Sequence, residues 1–129
     1  MPSRFADWLR QAKRDLDQAR LSMSGGFHEW ACFAAQQAAE KAVRGGYQAI
    51  GADAWGHSVS ALLQALPEGR QVPDRLLDAA KSLDRHYIPP RYPNSVPQGA
   101  PGDYYTEATA NEAISDAADI IWLCEGYPT

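Results

Sequence analysis

Eleven consecutive residues gather most of the chain's chemistry: Leu83-Asp84-Arg85-His86-Tyr87-Ile88-Pro89-Pro90-Arg91-Tyr92-Pro93. Two arginines, a histidine, two tyrosines and three prolines fall in this one stretch. Arginine offers a planar fork for phosphate or carboxylate, and tyrosine offers a flat face for stacking. Proline fixes the backbone and stops a helix from continuing. A stiff segment with these groups suits an anionic, ring-containing partner. Arg85 and Arg91 are candidate anion contacts; Tyr87 and Tyr92 are candidate stacking faces. The alternative for the arginines is a clamp onto Asp84, Asp103 or Glu40 that fastens the loop. The alternative for Tyr87 is core packing. His86 beside Arg85 is a candidate proton carrier, because imidazole titrates near neutrality. No second catalytic group is fixed by spacing, so no catalytic residue is assigned. His57 precedes a helix start and reads as capping or packing.

A second set lies on a helix. Gln37 and Lys41 are four residues apart and share one face, which could line a cleft; the equal alternative is a buried hydrogen-bond network that fixes the helix register. Gln36, Glu40 and Arg44 interrupt the same apolar segment. Burying such groups unpaired costs about 1–3 kcal/mol each. The i,i+4 pairs Gln36–Glu40 and Glu40–Arg44 would satisfy them. Glu40 and Lys41 are adjacent and must point apart.

The elements that position these residues are helical. Phe5, Trp8, Leu9, Ala12, Leu16, Ala19 and Met23 form one stripe, predicting an amphipathic helix over 3–23. Ser24-Gly25-Gly26 ends it. The segment 27–50 is apolar on two sides, which predicts a central, buried helix. Trp30 falls on one of those stripes and reads as a large buried side chain, so its truncation is expected to cost about 3–5 kcal/mol. Ser58 is a cap for a short helix with Val59, Leu62, Leu63 and Leu66, ended by Pro67-Glu68-Gly69. Pro73 suits the first turn of a fourth helix with Leu76, Leu77, Ala80, Leu83 and Tyr87 on its apolar face. Residues 88–105 hold five prolines and two glycines and read as one long loop. Thr106 or Thr109 caps the last helix, whose buried stripe is Ala113, Ile114, Ala117, Ile121 and Cys124. The fold class is all-α, a four- to five-helix up-and-down bundle in a single domain over 1–129.

Composition narrows the function. The chain has 129 residues and a formal charge of −4, which argues against generic DNA or RNA binding driven by phosphate neutralisation. No run approaches the roughly 18 apolar residues of a membrane span. The N-terminal residues lack a signal-peptide core, so a cytoplasmic location is expected. Cys32 and Cys124 have no metal-ligand spacing and read as buried thiols. No metal and no cofactor is expected.

Several elements in order carry a family resemblance. They are Trp8 with Ala12, Asp15-Leu16 and Ala19; Phe33-Ala34-Ala35-Gln36-Gln37-Ala38-Ala39-Glu40-Lys41-Ala42; His57-Ser58; Leu83-Asp84; Tyr87-Ile88-Pro89; Arg91-Tyr92-Pro93; and Tyr105-Thr106 before an alanine-rich helix. Together they resemble a HEPN domain (higher eukaryotes and prokaryotes nucleotide-binding). The resemblance implies a helical bundle, commonly a homodimer, paired in toxin–antitoxin-like modules with a separately encoded minimal nucleotidyltransferase. It also implies a nucleotide as ligand. Other members of the family are RNases with an arginine and a histidine four to six residues apart. That pattern is absent: Arg85 and His86 are adjacent, and Arg20 and His28 straddle a Gly-Gly break. The leading expectation is a nucleotide- or partner-binding module whose site includes Gln37, Lys41, Arg85, His86, Tyr87, Arg91 and Tyr92. Its rivals are a metal-independent RNase using Arg85, His86 and Arg91, and a purely structural dimerisation module.

Overall fold

The computed structural model describes residues 3–67 and 71–127. Five α-helices run through them: α1 (Phe5–Ser24), α2 (His28–Ala49), α3 (Val59–Gln64), α4 (Asp74–Asp84) and α5 (Glu107–Glu125). Three short 3-10 turns, Pro89–Arg91, Pro93–Ser95 and Pro101–Asp103, lie between α4 and α5. No strand occurs among the described residues. The all-α reading therefore holds. Among these residues no helix is long and apolar enough to cross a membrane.

α2 is the centre. It packs along α1 on one side and α5 on the other, while α4 joins α3 to α5. Its small side chains explain this. Ala31, Ala35, Ala38, Ala39, Ala42 and Val43 are all fully buried, so neighbouring backbones come close. Gly45 and Gly46 take the approach further. A Cβ at Gly45 would stand 3.1 Å from Cβ of Trp8 on α1, and one at Gly46 would stand 2.5 Å from the Tyr127 ring. Between α1 and α2, Gly26 adopts φ +85°, which glycine alone enters freely. Burial holds Cys32 and Cys124 as free thiols, with both pushed up to about 12; nearby Glu29 and Glu112 add to the rise at Cys32.

The caps match the sequence with one choice settled. Ser58 caps α3, its side chain accepting from Ala61 N. Thr106, not Thr109, caps α5 and accepts from Thr109 N. The end of α3 expected at Pro67-Glu68-Gly69 falls partly outside the described residues. The expected long loop is more ordered than its composition suggests: each of its 3-10 turns begins at a proline, where the fixed φ suits a first turn.

Two expectations fail. α4 ends at Asp84, so Tyr87 lies past the helix and not on its apolar face. Trp30 is 45% exposed; it stands in the first turn of α2 and lies edge-on to Phe33, ring centres 6.1 Å apart. Its truncation should cost well under the buried-aromatic range. A better probe of the core is Gly46. In an open helix interior, glycine to alanine stabilises by about 1 kcal/mol. Here the added methyl meets the buried Tyr127 ring, so Gly46→Ala is expected to destabilise by about 1–3 kcal/mol. A denaturant melt with an unchanged or raised midpoint would contradict this packing.

Candidate functional site

The centre of the candidate site is a carboxylate inside α2. Glu40 is 6% exposed and its oxygens are fully used. Gln36 Nε2 donates to it at 3.3 Å, Arg44 Nε donates at 3.1 Å, and His57 Nδ1 lies 3.3 and 3.2 Å from its two oxygens. Both i,i+4 pairs expected from the sequence are present. Arg44 also donates to the carbonyls of Ala54 and Gly56, and Gln36 to that of His57. The loop before α3 is thereby stitched to α2 through buried polar groups.

From His57 a chain of rings runs toward the proline-rich segment. His57 stacks on Tyr87, centres 4.7 Å apart and planes 16° from parallel. Tyr87 tilts against Phe33 at 6.4 Å. The Arg91 guanidinium carbon sits 4.5 Å from the Phe33 ring centre, 4.9 Å from that of Tyr87 and 5.3 Å from that of Tyr92. Arg91 Nε donates to the Tyr87 carbonyl at 2.8 Å. Its terminal nitrogens hold no hydrogen bond or ion pair among the described residues. The carboxylate clamp considered for Arg91 is thus not formed with Asp84, Asp103 or Glu40. Asp84 instead caps α3, accepting from Val59 N, Ser60 N and the Ser58 and Ser60 hydroxyls. Asp103 accepts from Ala100 N.

Gln37 and Lys41 line a groove between α1 and α2 of about 560 Å3, walled by Phe27, Trp30 and Phe33. Lys41 pairs with Asp15 at the groove, and Gln37 Nε2 donates to Gln36 Oε1 at 2.7 Å. Phe33 is the common wall: one ring borders the groove and also carries Arg91. The structure therefore places Gln37 and Lys41 on the groove side of Phe33, and Tyr87, Arg91 and Tyr92 at its other contacts. As expected, Glu40 and Lys41 diverge.

Arg85 and His86 belong elsewhere. They line a separate pocket of about 150 Å3 with Ser82, Thr109, Glu112 and Asp116, facing α5. Arg85 is exposed and holds no ion pair among the described residues. His86 lies edge-on to Tyr105 at 5.7 Å, and its Nδ1 is buried without a partner. Burial pushes its imidazole below the usual value; Glu112 opposes this and Arg85 adds to it. Among the described residues no hydrogen bond, ion pair or ring contact joins this pair to Arg91, so the seven expected site residues fall in two places rather than one. The turn after α4 is the reason: residues 85 and 86 close the helix against α5, and residue 87 turns the chain back to α2. Sequence reasoning missed Phe33 and His57. Phe33 falls in the apolar stretch 27–50 with nothing to mark it as a site wall, and nothing in the spacing ties His57 to Glu40 seventeen residues earlier. No cluster of three or more His, Cys, Asp or Glu side chains able to hold a metal occurs among the described residues.

The comparisons with known proteins agree with this architecture. A sequence model of the HEPN domain matches residues 5–127. The chain belongs to the HEPN family. This HEPN domain is similar to solved structures along nearly its whole length. It is 47% identical to TT1696 from Thermus thermophilus, with a TM-score of 0.95, covering 98% of this chain and 99% of that one. It is 43% identical to ST0689, described as an archaeal HEPN homologue, with a TM-score of 0.83 and complete coverage of both chains. A HEPN domain protein of Thermotoga maritima, tm0613, is 38% identical with a TM-score of 0.76, covering 92% of this chain and 94% of that one. Among curated proteins, "Putative toxin MJ1304" of Methanocaldococcus jannaschii is 24% identical over 129 residues, 93% of this chain and 85% of its own length.

The Arg85–His86 pocket has a measurable signature of its own. Burial, helped by the Glu112 and Asp119 carboxylates and opposed by Arg75, raises the Asp116 carboxyl from 3.8 to about 6. Between those values the folded chain binds more protons than the unfolded chain. Stability therefore falls as pH rises through that window, and the deficit persists at neutral pH. Asp116→Asn is expected to melt higher than the parent at pH 7, with the difference closing near pH 4. Melting curves of both across pH 4–7 check this, and a variant that melts lower at pH 7 contradicts it.

Proposed function

We propose that this HEPN domain is the helical, binding member of a toxin–antitoxin-like pair. Its partner is a separately encoded minimal nucleotidyltransferase, and the surface where the Gln37/Lys41 groove meets Arg91 receives that partner or a nucleotide. One observation carries the reading: the Arg91 fork is fixed through Nε and three aromatic faces, while its terminal nitrogens remain open among the described residues. A guanidinium held in this way is pre-organised, so little freedom is lost when an anion docks. The adjoining groove is of ordinary ligand-pocket size. The family and the toxin-described relative support the setting.

The reading includes a two-fold homodimer. Trp55 and Trp122 are 83% and 71% exposed, and Leu21 and Phe27 are also open. Large apolar side chains left at a surface favour association, and symmetric dimers are the commonest outcome. Sedimentation equilibrium at micromolar concentration should show the dimer; monomer alone would refute it.

Arg91→Lys tests the site. It keeps the positive charge and loses the fork. Affinity for the nucleotidyltransferase, or for the nucleotide, should weaken by about 1.5–3 kcal/mol by calorimetry. Arg91→Ala is a poorer probe of binding alone. Removing its ring contacts and one hydrogen bond should cost about 1–2 kcal/mol of stability as well. Unchanged affinity in Arg91→Lys would remove Arg91 from the site and leave it a structural clasp.

A further inference from the structure

We infer that the chain has a second binding site, separate from Arg91. The pocket lined by Trp8 and Trp55 takes a small organic cation, an alkylated ammonium ion, with Asp53 as its counter-charge.

The pocket lies where the loop after α2 comes beside Trp8 of α1. Its volume is about 260 Å3, and Trp8, Arg44, Tyr47, Gln48, Asp53 and Trp55 line it. That is below the size that takes a drug-sized ligand, so one small ion would touch several walls at once. Trp8 is half-buried against Gly45. Trp55 is 83% exposed, yet the loop that carries it is anchored. Ala52 N donates to the Tyr47 carbonyl at 3.0 Å. Arg44 holds the carbonyls on both sides of Trp55, those of Ala54 and Gly56. The indole is thus presented on a fixed backbone, which lowers the freedom lost when a ligand docks.

Charge selects the occupant. Arg44 lines the pocket but does not offer an anion fork. Its Nε donates to Glu40 at 3.1 Å and its terminal nitrogens donate to the two loop carbonyls. Asp53 is exposed, and its carboxylate holds no hydrogen bond or ion pair among the described residues. Indole walls attract cations more strongly than other rings do, and one uncompensated carboxylate adds to that attraction. Hydrogen bonding then selects the kind of cation. A primary ammonium brings three N–H donors, and an indole has no acceptor for them. The Gln48 side-chain oxygen already accepts from Arg4 N at 3.2 Å, and the Tyr47 hydroxyl donates to the Leu62 carbonyl. Among these lining side chains, Asp53 is the acceptor left open. An alkylated ammonium spreads its charge over methyl groups, which suit ring faces and ask for no acceptor. Trp55 then serves a ligand, and the dimer contact is left to Leu21, Phe27 and Trp122.

Choline, its neutral carbon isostere dimethylbutanol, and ethanolamine are the probes. The isostere keeps the shape and removes the charge; ethanolamine keeps the charge and removes the methyl groups. Binding to the intact chain is measured by calorimetry, and the indole N–H signals of the four tryptophans are followed by proton–nitrogen NMR. Choline should bind about tenfold or more tightly than either analogue. The Trp8 and Trp55 signals should move, and those of Trp30 and Trp122 should stay. Trp55→Leu and Asp53→Asn should each weaken choline by about fivefold or more. Both side chains are exposed, so the melting temperature should hold, and Trp55→Leu should sediment as the parent does. Equal binding of the isostere would leave an apolar pocket without cation selectivity and overturn the inference. Equal binding of ethanolamine would overturn the choice of an alkylated ion. Movement at Trp30 or Trp122 instead, or no choline binding at millimolar concentration, would remove the site. If Trp55→Leu shifts the parent's oligomeric state, Trp55 is a subunit contact and the inference fails while the Arg91 reading stands.

Discussion

A carboxylate buried in the middle of a helix must be paired, or it will not stay ionised there. Glu40 meets this demand with three partners from two elements: Gln36 and Arg44 on its own helix, and His57 from the loop before α3. Everything near the candidate site inherits its position from that arrangement. Arg44 reaches on to the loop carbonyls, the loop fixes Ser58, and Ser58 with Asp84 joins the start of α3 to the end of α4. The end of α4 sets where the proline-rich segment begins. A single buried charge thus organises four pieces of chain through hydrogen bonds that tolerate little displacement.

The same helix faces two ways. Small residues on its inner faces draw α1 and α5 close, and aromatic and amide side chains at its edge make the groove. Phe33 separates the groove from Arg91 and touches both. The guanidinium is held by rings rather than by a carboxylate, which keeps its charge uncompensated. A salt bridge at this position would have neutralised a cation that has no carboxylate partner among the described residues. The proposal of an anion site rests on that difference.

Much of this was legible in the sequence. The five helices, their order, the Ser58 cap and the Gln36–Glu40–Arg44 spacing all follow from local rules, which act over one or two turns. The same periodicity put Gln37 and Lys41 on one face, and left open whether it lines a cleft or carries a polar network. What local rules could not reach were contacts made by the tertiary fold. His57 finds Glu40 only after the loop has closed. Asp84 looks like a partner for Arg85 or Arg91 until α3 is brought beside it. Arg85, His86 and Arg91 form one basic cluster along the chain, yet the turn after α4 sends the first two against α5 and the third toward α2. Trp30 shows the converse error: periodicity put it on an apolar stripe, but a stripe at the first turn of a helix can run past the end of its neighbours into solvent.

The order of the helices along the chain has a consequence for synthesis. α1 and α2 are consecutive, joined by a short glycine turn, and can pair as soon as both have left the ribosome. The opposite face of α2 is sealed by α5 and by Tyr127 against Gly46, which are made only after the loop, α3, α4 and the proline-rich segment. Throughout that interval the small-residue face of α2 that α5 will cover stays open. Early hairpin formation followed by late closure leaves a nascent chain with a long-lived apolar face, so the last helix acts as the step that commits the protein to its folded state.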